Sequence, residues 1–129
     1  MGDLMEQAAA WLGGMRRAHM SRTVTYRRGD DSAEVAATVG KTVFDIDDGY
    51  GAVERFVSRD FLVAAAELVL GGEAVEPRPG DRIEETAGGV VHVHEVLAPG
   101  KEPCWRWSDP YRTTLRIHTK ETAVDVPGQ

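Results

Sequence analysis

Between Arg59 and Thr119 the chain breaks into short strand-like pieces. Arg59-Asp60-Phe61-Leu62-Val63, Arg82-Ile83, His94-Glu95-Val96, Trp105-Arg106-Trp107 and Arg116-Ile117-His118-Thr119 alternate with turns rich in glycine, proline and aspartate. Alternating apolar pieces at this spacing predict a mainly β fold, a small antiparallel β-barrel or sandwich. Such a fold offers surfaces and loops more readily than a catalytic cleft.

The rest of the chain adds to this frame. Leu4, Ala8, Trp11, Leu12 and Met15 repeat at helical spacing, which predicts an N-terminal α-helix over Asp3–Met20. Asp3 followed by Glu6 resembles a capping box, and Arg16, Arg17 and His19 suit the negative end of the helix dipole. Thr23–Arg28 and Ala33–Thr42 alternate as a first hairpin, with Val43 and Phe44 continuing the second strand or opening another. Asp45–Ala52, with three aspartates and two glycines, is expected to be an exposed loop, followed by a strand within Val53–Val63. Ala64–Leu70 is ambiguous: its alanines favour a short helical turn, which Gly71-Gly72 would end. Pro77–Asp81 is a rigid turn. Arg82–Thr86 and Val90–Leu97 form a hairpin around Ala87-Gly88-Gly89, and Cys104–Trp107 and Thr113–Lys120 close the fold. The expected organisation is a single domain: helix 1–21, barrel 22–120 and a flexible tail 121–129.

Composition narrows the function classes. At 129 residues, 42% hydrophobic and 28% charged, the chain can bury a sound core without staples. No apolar run reaches the ~18 residues that a membrane helix needs, and the acidic Asp3 and Glu6 do not fit a signal peptide. One cysteine, Cys104, permits no internal disulfide, which fits a reducing compartment. A formal net charge of -6 argues against a dedicated binder of phosphate backbones and favours protein partners, or a place beside DNA that must not stick to it.

Each candidate for chemistry has a bland counterpart. His92 and His94 form a His-x-His pair that, on a strand, points both rings to one face where a metal could sit with His118 or Cys104. The plainer reading puts both on the polar face of a hairpin, with Val91 and Val93 facing the core. Cys104 lies between proline and tryptophan with no activating pattern, as a buried inert thiol would. Asp45, Asp47 and Asp48 open like a calcium loop, but Glu54 falls at the wrong position and the loop reads as solvated. Gly49-Tyr50-Gly51 is no phosphate loop, and Ser21, Ser58 and Ser108 lack the glycine elbow of a nucleophilic serine. Arg59 and Asp60 are expected to make at most a weak surface pair. Trp105 and Trp107 share a face, one expected inside and one on a rim. No catalytic residue, cofactor or metal is expected.

Taken in order, Asp60-Phe61-Leu62-Val63, Pro77 to Ile83, His94-Glu95-Val96 and Trp105 to Thr119 give the second half a family likeness. It resembles small phage and prophage head–tail connector proteins of the head-completion or joining class. That class often runs through an Asp-Phe-apolar strand, a Pro-x-x-Gly-Asp-x-Ile turn, a Glu-Val return strand and a tryptophan-containing closing strand. The resemblance covers Phe56–Lys120; His94 stands where a tyrosine commonly precedes Glu-Val. It implies a structural virion protein at the head–tail junction, present in the host cytoplasm before assembly. Such a protein forms a homo-oligomeric ring from monomers, contacts portal or adaptor ring and tail proteins, and seals packaged DNA without catalysis.

On that reading the candidate interface residues are Trp11, Asp45, Asp47, Asp48, Tyr50 and Trp105. The Trp11 stripe either anchors to a neighbouring ring or packs on the barrel. An acidic wall would let DNA slide past without specific binding. Two rivals stand beside it. One is an OB-like module binding nucleic acid through Arg106, Arg112, Arg116 and Lys120 with Trp105 and Tyr111. The other is a metal-dependent enzyme using His92 and His94.

Overall fold

The computed structural model describes residues 21–125. Its strands are β1 (Arg22–Arg28), β2 (Asp31–Asp47), β3 (Val53–Ala64), β4 (Val69–Leu70), β5 (Glu73–Ala74), β6 (Arg82–Ala87), β7 (Val90–Val96), β8 (Trp105–Trp107) and β9 (Thr114–Asp125). A single 3-10 turn, Ala65–Glu67, follows β3. The predicted helix and its Trp11 lie outside the described residues.

The chain is mainly β, as its strand grammar implied. The large sheet is antiparallel, in the order β3-β2-β1-β6-β7-β9-β8, and β3 also pairs with β9. The pairings therefore return to the strand from which they began. β9 makes this possible by pairing twice along its length: Thr114–Thr119 lie against β3, and Thr119–Asp125 against β7.

Alternation sets the core. Side chains of one parity on each strand point to the same side. On that side Val24 and Tyr26 of β1, Val35 and Ala37 of β2, Phe61 and Val63 of β3, Ile83 of β6, Val96 of β7 and Leu115 and Ile117 of β9 form one buried cluster. Leu68 and Leu70 join it from the 3-10 turn and the small β4–β5 hairpin.

Four local expectations are corrected. The strand β2 does not stop at Phe44 but runs to Asp47, so only Asp48–Ala52 remain as the turn. Ile46 keeps the alternation going and lies against Gly100, while Asp45 pairs with Arg55 across the ladder. The tail is strand as far as Asp125, because β7 offers it a partner. Gly71-Gly72 does not end a helix: both have positive φ, at 60° and 82°, and they turn β4 into β5. On β7 the parity is opposite to that expected, with His94 and Val96 buried and Val91 and Val93 only half-buried. The unbroken register with β6 sets this parity, placing His94 opposite Ile83 and His92 opposite Glu85; the register shift against β9 between Val93 and His94 leaves the extra residue, Thr122, in β9.

Candidate functional site

The candidate site is the outer part of the β2–β3 hairpin. β1 accompanies β2 only as far as Ala37, and β9 accompanies β3 only from Arg59. From Thr42↔Ser58 to Asp47↔Val53 the two strands pair with each other alone. At ~3.3 Å per residue this two-stranded ribbon is roughly 17 Å long. Its free edges carry unpaired backbone groups, as edge strands do.

The two faces of the ribbon differ. One face carries Val43, Val53 and Val57, exposed by 52%, 65% and 51%, together with the exposed Asp45–Arg55 pair. The other carries Phe44 and Phe56, stacked with centroids 6.3 Å apart, and Ile46. A cleft of about 550 Å³ runs along β2 from Val43 to Asp47, with Pro99–Glu102 as its far wall. At the tip, Tyr50 is 94% exposed. The turn is held by its aspartates: Asp47 Oδ1 accepts the Gly49 N–H at 2.8 Å, and Asp48 Oδ1 accepts those of Tyr50 and Ala52 at 2.7 and 3.2 Å. Two of the three predicted loop aspartates thus shape the turn, and together with Asp45 they leave it acidic.

Where the ribbon leaves the sheet, the outward face of β3 holds a buried polar cluster. The Asp60 carboxylate accepts from Ser58 Oγ at 2.5 Å, from Arg116 Nη1 at 2.7 Å and from the Thr42 hydroxyl. His118 Nδ1 lies 2.9 Å from the same carboxylate. Burial alone would raise the Asp60 pKa; hydrogen bonds from His118, Ser58, Thr42 and Arg116 outweigh it and hold the carboxyl well below its usual range.

A serine, a histidine and an aspartate have met here without forming a catalytic triad. In a triad the carboxylate holds one imidazole nitrogen and the serine uses the other. Here Ser58 Oγ is 3.4 Å from Nδ1, the nitrogen already turned to Asp60, and its proton goes to the carboxylate. Ser58, Asp60 and His118 are 1%, 0% and 3% exposed, so no substrate reaches them. No local pattern along the chain announces this cluster, since its members come from three strands.

Arg59, next in the chain, points to the opposite side of β3, so the predicted Arg59–Asp60 pair does not form. Arg59 donates to Glu85 at 2.8 and 3.0 Å, and Arg22 donates to the same carboxylate. Burial would raise the Glu85 pKa, but the two arginines lower it on balance. His94 is 2% exposed, with its ring 5.1 Å from that of Phe61. Its Nε2 is 3.3 Å from Glu85 Oε1 without hydrogen-bond alignment, and neither ring nitrogen has a partner among the described residues. Burial first, then the Arg59 charge, lowers its pKa. His92 instead meets Glu121 at 2.6 Å. Both histidines line a small cleft of about 230 Å³, but among the described residues no group of three or more ligands is arranged to hold a metal.

The remaining candidates also have structural partners. Tyr26 is fully buried and donates to Asp81, which also takes Arg28 Nη2 at 2.8 Å and the Arg78 N–H at 3.0 Å. The Gly-Asp of the Pro77–Ile83 turn therefore ties β1 to β6. Cys104 is buried, with Sγ 3.5 Å from the Pro77 carbonyl, and burial raises its thiol pKa. Trp105 and Trp107 share a face as expected, edge to face at 5.0 Å. Both are half-buried against the core, in place of one inside and one on a rim. Arg116 is engaged by Asp60 and Trp105 by Trp107, so these two proposed members of a nucleic-acid groove already have partners within the chain.

These contacts describe a structural β protein whose buried polar groups brace the fold and whose outstanding feature is a projecting ribbon. The match to the phage head–tail joining protein family model, over residues 2–125, assigns it: the chain belongs to that family. Membership gives it a structural role at the head–tail junction and implies contacts with head and tail proteins. A comparison with curated proteins finds no match. Among the described residues no helix is long and apolar enough to cross a membrane.

Proposed function

We propose that the chain is a rigid β-barrel block that assembles as a ring between portal and tail, presents its ribbon to a neighbouring protein, and helps to seal packaged DNA without catalysis. The observation that carries this reading is the ribbon from Thr42↔Ser58 to Asp47↔Val53, which leaves the sheet with two free edges, exposed valines and Tyr50 at its tip. Exposed strand edges and apolar side chains on a fixed hairpin recruit partners by strand addition and packing. Identical copies close a ring only through head-to-tail contacts, in which one surface of each copy meets a different surface of the next. The acidic turn and the net charge of -6 support passage of DNA without adhesion. The domain is proposed to be single, with the ribbon as its main docking element and Asp45, Asp47, Asp48 and Tyr50 at the contact.

The test is co-sedimentation with DNA-filled tailless heads, or with isolated portal complex, from the same source. Stoichiometric binding at the portal vertex is expected, and the bound copy number gives the ring. Folded protein that stays in the supernatant with both would overturn the portal contact.

A further inference from the structure

The ribbon meets the sheet at an unusual pair. Gly40 of β2 lies opposite Asp60 of β3, beyond the last β1 partner at Ala37 and just before the ribbon begins at Thr42. Glycine inside a strand weakens it. Arg116 passes beside this position: a Cβ on Gly40 would make ordinary van der Waals contact with its Nη1, at 3.4 Å, and with Leu62 Cδ1, at 3.5 Å. The guanidinium reaches from β9, across β3, to the edge of β2. There Nη1 meets Asp60 Oδ2 at 2.7 Å and lies 3.5 Å from both the Lys41 carbonyl and Thr42 Oγ1.

We infer that Gly40 and Asp60 form a locked hinge, in which Arg116, His118, Ser58 and Thr42 converge on one buried carboxylate and fix the angle at which the ribbon leaves the sheet. Three features carry this. The ribbon has no ladder partner beyond its own two strands, so backbone pairing alone does not set its direction. The carboxylate receives groups from β2, β3 and β9, so it ties both ribbon strands to the strand that stays in the sheet. The Phe44 ring lies edge-on to His118 at 5.0 Å, so the first large side chain of the ribbon rests on the lock itself. Buried and saturated, such a cluster specifies one geometry rather than adding much net stability. The purpose of the lock rests on the docking role proposed above, whereas its existence is read from the direction of the ribbon alone.

Spin labels at Tyr50→Cys and Arg106→Cys, in a Cys104→Ser background, measure the distance from ribbon tip to sheet body by pulsed dipolar spectroscopy. The background is compared with Arg116→Gln and with Thr42→Val, each checked for cooperative unfolding. One narrow distance distribution is expected in the background, and a distribution about twofold broader, or a second peak, in both variants, as for a released hinge. An already broad distribution in the background, or an unchanged width in the folded variants, overturns the lock. Thr42→Val removes one neutral donor at nearly constant volume, so it decides the matter if Arg116→Gln does not fold. A narrow distribution in a protein that fails to bind heads leaves the lock standing and overturns the docking role.

Discussion

Replacing Asp60 by asparagine is the sharpest stability test of the structure. The carboxylate is 0% exposed, and the Arg116 side chain that it pairs with is 22% exposed. Breaking a buried pair by neutralising one partner costs about 3–5 kcal/mol, because the other charge is left without compensation. Arg116 keeps some access to water, which places the loss near the lower end, about 3 kcal/mol. Asparagine also offers one acceptor oxygen and two new donors where Ser58, Thr42 and Arg116 already donate. For a chain of this size, roughly 4 °C of Tm per kcal/mol gives a fall of about 12 °C. The control is Asp45→Asn, which removes the same charge from the same hairpin. Its partner Arg55 lies 3.2 Å away with both side chains more than half exposed, at 71% and 58%. Such a pair contributes about 0.5 kcal/mol or less. Urea unfolding followed by tryptophan fluorescence, at constant m, separates the two. The reasoning is refuted if Asp60→Asn lies within about 1 kcal/mol of the parent, or loses no more than Asp45→Asn.

Three further outcomes follow from named contacts. Tyr26→Phe removes the donor to Asp81 while Arg28 and the Arg78 N–H remain, so a loss of about 1.5–2 kcal/mol is expected in the same urea assay; no loss would show that the hydroxyl is dispensable. The folded-state pKa of His94 is depressed, so the unfolded chain binds its proton first and stability falls as pH drops through about 6.5. Asp60, Asp81 and Glu85 are also depressed, so their share is full above about 4 and is lost below it. The urea midpoint should therefore decline between pH 7.5 and 5.5, and His94→Leu should abolish that first decline; a decline that persists undiminished contradicts the assignment. Tyr50→Ala, at a 94% exposed tip, should leave stability within about 0.5 kcal/mol and weaken co-sedimentation with heads, so unchanged binding would remove the tip from the contact.

What the sequence made legible was local. The Val24/Tyr26 and Val35/Ala37 alternation, the Gly88-Gly89 hairpin and the closing strand around Leu115 and Ile117 announce themselves within a few residues, because turn chemistry and period-two burial are short-range properties. The β2 strand was cut short because three aspartates resemble a solvated loop. Their carboxylates instead cap the turn or pair across it, as Asp48 and Asp45 do. The phase of β7 is misleading because its apolar Val91 and Val93 face outward, while the register with β6 sets His94 opposite the buried Ile83 and His92 opposite Glu85; that register is a long-range property. Ser58, Asp60, Arg116 and His118 were invisible as a cluster for a stronger reason. Their meeting depends on the β3–β9 register, Asp60↔His118 and Leu62↔Arg116, across more than half of the described chain. The family likeness was legible where the cluster was not, because it lies in the order of the elements.

A buried carboxylate needs a reason when apolar residues of similar volume would stabilise a sheet at least as well. The place of Asp60 supplies one. It stands where β9 ceases to accompany β3 and the ribbon begins, and its hydrogen bonds come from both sides of that point: Thr42 and Ser58 from the ribbon, Arg116 and His118 from β9. On the inward side of the same strand, Arg59, Glu85 and Arg22 make a second charged cluster beside His94, joining β3, β6 and β1 at the level where the ribbon departs. Strand β3 is thus held from both faces at two consecutive residues. A binding element fixed in direction before it meets its partner loses less conformational freedom on docking, and an identical angle in every copy is what a closed ring requires. Polar burial at this point is therefore better explained by the direction it imposes on the ribbon than by any stability it adds to the sheet.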